Sequence, residues 1–127
     1  VTVDAATAAR LVSDYRRGLG LAPVTVDPAL MAVARRQAEA MAAADHLSHE
    51  VAGTLSARLR AARVPEGFAV ENVSAGYPSL EAALAGWRAS PGHDANLRDP
   101  HVRRLGIAAA SAPETRYKTF WSLDMTD

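Results

Sequence analysis

The 127 residues, 49% apolar and 22% charged, describe one folded domain over 1–127: too short for two ordinary cores and too apolar for a disordered tail. Fourteen basic side chains meet fourteen acidic ones, as 8 against 6 through Val64 and 6 against 8 after it, so the chain lacks the basic field that nucleic acid or an anionic membrane would need. The absence of cysteine removes disulfides, thiolate nucleophiles and zinc-thiolate sites; no apolar run is long enough for a membrane span, and Val1 to Asp4 carries no signal-peptide pattern.

In chain order, a first helix is expected from near Asp4, with Ala8, Leu11, Val12, Tyr15 and Leu19 on one face and an end at Gly18 and Gly20. Asp27 followed by Pro28 marks a second start, since the carboxylate caps free backbone donors and proline suits the first helical position. Leu30, Ala34, Ala38 and Met41 carry that helix to about Ala44. The polar stretch from Asp45 to Gly53 reads as a loop, and Thr54 opens a short helix with Leu55, Leu59 and Ala62. Phe68 to Ala75 reads as a strand, and Ser79 caps a helix that buries Leu80, Ala83, Leu84 and Trp87. Ser90 is placed as the cap of a further helical turn beginning at Pro91. Leu105, Ile107 and Ala109, then Tyr117, Thr119, Trp121, Leu123 and Met125, alternate as two strands joined across Ser111 to Arg116. Helices before strands imply an α+β fold, with an antiparallel hairpin at its end.

The chemistry visible in isolation is sparse. No phosphate-binding glycine loop, HExxH zinc motif or GxSxG nucleophile motif occurs. Among His46, His49, His93 and His101, the most suggestive set joins a central-loop histidine with His93 and Glu71, because imidazoles and a carboxylate can ligate zinc. Each residue also has a structural reading: Glu71 as a clamp on backbone donors, His93 as a hydrogen-bonded helix-end residue, His49 as a loop histidine and Ser90 as a helix cap. Trp87 and Trp121 read as core anchors. Arginine supplies thirteen of the fourteen basic residues, and pairs such as Arg16-Arg17 read as solvated surface.

The motifs Ser48-His49-Glu50, Glu71-Asn72-Val73 and Trp87-Arg88-Ala89-Ser90-Pro91-Gly92-His93-Asp94-Ala95-Asn96-Leu97, in that order, resemble the CAP superfamily, also called SCP or PR-1-like. The likeness extends from Tyr15 to the Tyr117–Trp121 strand and is greatest for short bacterial members. It implies an α-β-α sandwich with a small antiparallel sheet between helices, in a protein secreted, periplasmic or at the cell surface. It also implies a cavity in which His49, Glu71 and His93 match three of four residues that hold a divalent metal in many eukaryotic members. Ser90 stands where the second glutamate of that set would fall. The cavity and ligand-binding candidates are therefore His49, Glu71, Ser90 and His93, with His49 and His93 as the candidate metal ligands and zinc as the cation.

The leading expectation is a noncatalytic domain that binds a small or extended ligand, lipid-like molecules included, with a weak divalent-metal site. One alternative is a metal-assisted hydrolase in which His49 and His93 hold zinc and Glu71 takes a proton from bound water. The other is a structural or protein-interaction module. The expected partner is thus a small molecule, a lipid or a protein.

Overall fold

The computed structural model describes residues 2–65 and 67–127. Helix α1 (Ala5–Gly18) is capped by Asp4, whose carboxylate accepts from the Ala6 amide at 3.2 Å. Strand β1 (Thr25–Val26) leads into α2 (Pro28–Ala44), where Asp27 accepts from the Ala29 and Leu30 amides and Pro28 takes the first turn. Thr54 caps α3 (Leu55–Ala61); β2 (Ala69–Ala75) follows, and Ser79 caps α4 (Leu80–Ala89). After α5 (Pro91–Leu97) come β3 (Arg104–Ala112) and β4 (Lys118–Thr126).

The sheet runs β1-β3-β4-β2. The expected terminal hairpin is its centre, with β4 antiparallel to β3 and to β2, while β1 adds a short parallel pairing of Thr25 with Arg104 and Val26 with Leu105. The sheet is therefore mixed, because two extended residues before the Asp27 cap lie against β3. They are too few to show an alternating pattern.

Strand alternation assigns the two helical layers. Leu105, Ile107, Trp121, Leu123 and Met125 join Ala8 and Val12 of α1 and Leu80, Ala83, Leu84 and Trp87 of α4 in one buried cluster. On the opposite face, Ala34 and Ala38 of α2 meet Ala108, and Met41 meets Val73 and Phe120. Leu30 and Val33 continue that side toward Leu59 of α3. This is the α-β-α sandwich. Strand β4 lies between layers and is buried from Thr119 through Thr126, so its apparently polar positions Ser122, Asp124 and Thr126 lie inside.

Two close approaches tighten the layers. A Cβ on Gly106 would collide with backbone atoms of Leu30 and Met31, so glycine there lets α2 lie directly on β3. Arg16, read from sequence as solvated, is fully buried. It donates to the carbonyls of Ala22 (2.7 Å), Leu97 (2.8 Å), Asp99 (2.8 Å) and Val102 (3.3 Å), tying α1 to the end of α5 and the following loop. One guanidinium thus satisfies buried carbonyls that regular secondary structure leaves over.

Candidate functional site

Strand β2 is the sheet edge opposite β1, and the candidate residues gather around it. Glu71 faces the α2 and α3 layer beside its cross-strand partner Asp124. Its carboxylate receives Arg58 of α3 in a two-pronged pair, Nη1 to Oε2 at 2.8 Å and Nη2 to Oε1 at 2.9 Å, with Arg58 and Glu71 side chains only 5% and 2% exposed. Arg58 also donates to the Gly53 carbonyl (2.9 Å) and the His49 carbonyl (2.8 Å), pinning the loop that carries His49. The expected clamp on backbone donors is thus replaced: the Glu71 carboxylate meets side chains, and Arg58 makes the backbone contacts in its place. Sequence reasoning passed over Arg58; the signal was its place one helical turn after the Thr54 cap, beside Leu59.

Glu71 Oε1 also lies 2.9 Å from His49 Nδ1, and the His49 side chain is 56% exposed. A carboxylate on Nδ1 favours the proton there in neutral imidazole and leaves Nε2 with its lone pair. On the other side of the β2 edge, the amide of Asn72 donates to the His93 carbonyl (3.1 Å) and Asn96 donates to both the Glu71 carbonyl (3.2 Å) and Asn72 Oδ1 (2.9 Å). These contacts fasten α5 along β2. Ser90 occupies the N-cap position of α5, yet its side chain makes no cap hydrogen bond; Oγ lies 3.0 Å from His93 Nδ1. The expected capping bond is thus replaced by a serine-imidazole contact one turn along the helix.

The structure therefore joins His49 to Glu71 and Ser90 to His93 as two pairs, linked through Asn72 and Asn96. Burial foremost, and then the charge of His49, lower the pKa of His93 from 6.5. His46 and His101 stand apart from this arrangement, His101 being paired with Asp99 at 3.1 Å. Burial opposes ionisation of Glu71, but Asp124, Arg58 and His49 together outweigh it and hold its pKa below 4.5. Asp124 is pushed the other way, well above 3.8, by burial first and then by the Glu71 carboxylate. Neither Asp124 oxygen has a hydrogen-bond partner among the described residues, so nothing beside it favours the charged form except the Arg58 guanidinium.

A divalent cation on Glu71 would face the Arg58 guanidinium, which already uses both carboxylate oxygens. Among the described residues no three His, Asp or Glu side chains form a metal-ligating group. The Nδ1 atoms of His49 and His93 are engaged by Glu71 and Ser90, and Glu71 orients His49 from behind. A separate cavity of about 90 Å³ lies between α1, α4 and α5, lined in part by Leu11, Val12, Leu84 and Leu97. Tyr15 at its rim donates to Asp94 Oδ1 at 2.6 Å. The cavity is below the roughly 300–1,000 Å³ usual for small-molecule pockets.

The sequence model described as "CAP: Cysteine-rich secretory protein family" matches residues 9–125. The chain belongs to the CAP family. This CAP domain superposes with a TM-score of 0.83 on an extracellular protein containing a SCP domain from Bacillus anthracis, at 27% identity over 95% of this chain and 39% of that one. An outer surface protein of Borrelia burgdorferi gives 0.81 at 17% identity, covering 98% of this chain and 96% of that one. A cysteine-rich secretory protein of Staphylococcus aureus gives 0.76 at 16% identity over 96% and 37%. The likenesses to the Borrelia and Staphylococcus proteins are ones of fold alone. The chain spans well under half of the Bacillus and Staphylococcus proteins and nearly all of the Borrelia one. No curated protein sequence matches.

Proposed function

We propose that this CAP domain works outside the cytoplasm as a noncatalytic binding module whose ligand engages the His49 and His93 imidazoles at the β2 edge. The observation that carries the reading is the buried Arg58-Glu71 pair holding the exposed His49 from behind. A charged clamp costs desolvation, and here it fixes an imidazole that solvent and ligands can reach. The ligand is a small or extended molecule, with lipid-like molecules in that class, oriented by polar contacts to the imidazoles. Zinc is the cation to test, held weakly by His49 and His93 with water completing the shell. Extracytoplasmic placement is supported by the extracellular description of the Bacillus relative.

Binding is favoured over hydrolysis because Glu71 is a poor base. Both of its oxygens accept from Arg58, and its pKa lies below the ordinary carboxylate value. Calorimetric zinc titration at fixed pH tests the reading, with His49→Ala, His93→Ala and Glu71→Gln as variants. One-to-one binding lost with either histidine but retained, weaker, in Glu71→Gln is the expected result. Binding untouched by all three variants places the cation elsewhere, and zinc-dependent turnover of an ester or peptide would overturn the noncatalytic reading.

A further inference from the structure

The sheet edge opposite the imidazoles has a different chemistry. Strand β1 covers β3 only at Arg104 and Leu105, where Thr25 and Asp27 amides donate to the Arg103 and Leu105 carbonyls. Alternate residues of a strand present their backbone groups to the same side, so Ile107 and Ala109 present theirs away from β4. The Ile107 amide meets the Met31 thioether at 3.3 Å, a weak acceptor, and no described residue pairs with Ala109 on that side. Helix α2 runs beside this edge in the same direction. Between helix and strand lie two hollows of about 580 and 490 Å³ that share Arg35 and Ala109, forming one continuous groove whose Ile107 end is also lined by Thr2 and Val3.

The helical wall is a stripe at helix spacing: Ala32, Arg35, Glu39 and Ala42. Arg35 and Glu39 are its charges, and neither is paired to another described residue. The strand wall offers backbone donors and acceptors with no proline or charge to discourage pairing. Small alanines leave room for a second backbone. Beyond Leu105 no strand among the described residues neighbours β3 on this side, and such an edge beside a helix is the geometry in which an extended peptide adds to a sheet.

We propose that the α2-β3 groove docks an extended segment of another protein as an added antiparallel strand, with a basic and an acidic side chain at alternate positions. The charge order follows from the geometry. Four residues from Arg35 to Glu39 advance about 6 Å along the helix, and two residues of a strand advance about 6.8 Å. Side chains at alternate strand positions therefore meet Glu39 and Arg35 in turn. An antiparallel segment read from its N-terminus places the base at Glu39 and the acid at Arg35, giving a Lys-x-Glu order. A second copy of this chain, paired β3 to β3 about Ala109, fits less well because it would bring the two Arg35 side chains toward each other.

The probe is a synthetic acetylated and amidated Thr-Val-Lys-Val-Glu-Val-Thr peptide titrated into the ¹⁵N-labelled protein, with the Glu-x-Lys peptide as comparison. Saturable shifts at the Ile107 and Ala109 amides and slower hydrogen exchange at Ala109 are expected. Arg35→Glu should weaken binding on the order of tenfold, and the Glu-x-Lys peptide should bind the parent more weakly by a similar factor. Ala109→Pro removes the outward amide at an edge position where sheets accept proline, and should abolish binding at unchanged fold. If that variant does not fold, Arg35→Glu decides alone. Binding equal in parent and Arg35→Glu, or shifts confined to residues away from β3 and α2, overturns the proposal. Tighter binding of the Glu-x-Lys peptide overturns the antiparallel register, and peptide-free dimerisation through the Ala109 edge overturns the assignment to another protein.

Discussion

Arg58 and Glu71 share two hydrogen bonds, at 2.8 and 2.9 Å, inside the protein, and this pair joins α3, the His49 loop and the β2 edge. Removing one partner leaves the other charge buried without compensation, whereas replacing both with apolar groups removes the desolvation cost as well. Arg58→Ala should therefore cost about 3–5 kcal/mol in urea denaturation. The double variant Arg58→Met with Glu71→Leu should recover most of that loss and still release the His49 loop. A full-strength single-variant loss that persists in the double variant would show that geometry, not charge, dominates.

Asp124 and Glu71 respond to pH with opposite signs. The folded state holds the Asp124 proton more tightly than the unfolded chain does, so that contribution is complete below 3.8 and declines as pH rises toward the raised folded value. Glu71 is depressed, so its contribution is present above 4.5 and declines as pH falls through its folded value. Asp124→Asn keeps a neutral side chain of similar shape and should flatten the alkaline decline, leaving the variant at least as stable as the parent at pH 8. Denaturation midpoints across pH 4 to 9 measure this. A steeper alkaline decline in Asp124→Asn would show that the native state uses the ionised carboxylate.

His93 reports on the distance between the two imidazoles. Its pKa lies below 6.5 through burial first and the charge of His49 second, so His49→Ala should move it upward without restoring it fully. NMR titration of the His93 ring protons reads this directly. An unmoved pKa in His49→Ala would mean that the imidazoles do not sense each other, and would weaken the case for a shared ligand.

The order of elements was legible because caps and periodicity agree: Asp4, Asp27, Thr54 and Ser79 each accept from an early helix amide. Thr25 and Val26 were not, since two residues carry no period. The motif likeness singled out His49, Glu71 and His93, but the residues that govern them were hidden by charge. Arg16 reads as solvated and Arg58 is passed over because arginine usually lies in water, and only the fold shows which guanidinium meets leftover carbonyls or a buried carboxylate. Asp124 was masked differently. Its neighbours Leu123 and Met125 announce one buried face of β4, and nothing local says that the other face is buried too.

Glycine positions give a final contrast between contact and freedom. At Gly106 an added Cβ would strike the Leu30 carbonyl group and the Met31 amide nitrogen, which are helix backbone and cannot swing aside as a side chain would. Gly106→Ala must push α2 from β3, disturbing Leu30, Ala34 and Ala108 together, and overpacking of this kind costs about 1–3 kcal/mol. Gly92, in the first turn of α5, has nothing within 4 Å of its would-be Cβ and no left-handed backbone angle. There alanine limits the unfolded chain without a clash, so Gly92→Ala should stabilise by about 0.4–1 kcal/mol. Gly92→Ala should also leave the Ser90-His93 contact in place, so its His93 titration should match the parent. The two variants compared by thermal and urea denaturation should move in opposite directions. A neutral Gly106→Ala would show that α2 has slack over β3, which would also widen the groove beside Ala109 and predict tighter docking of an added strand there.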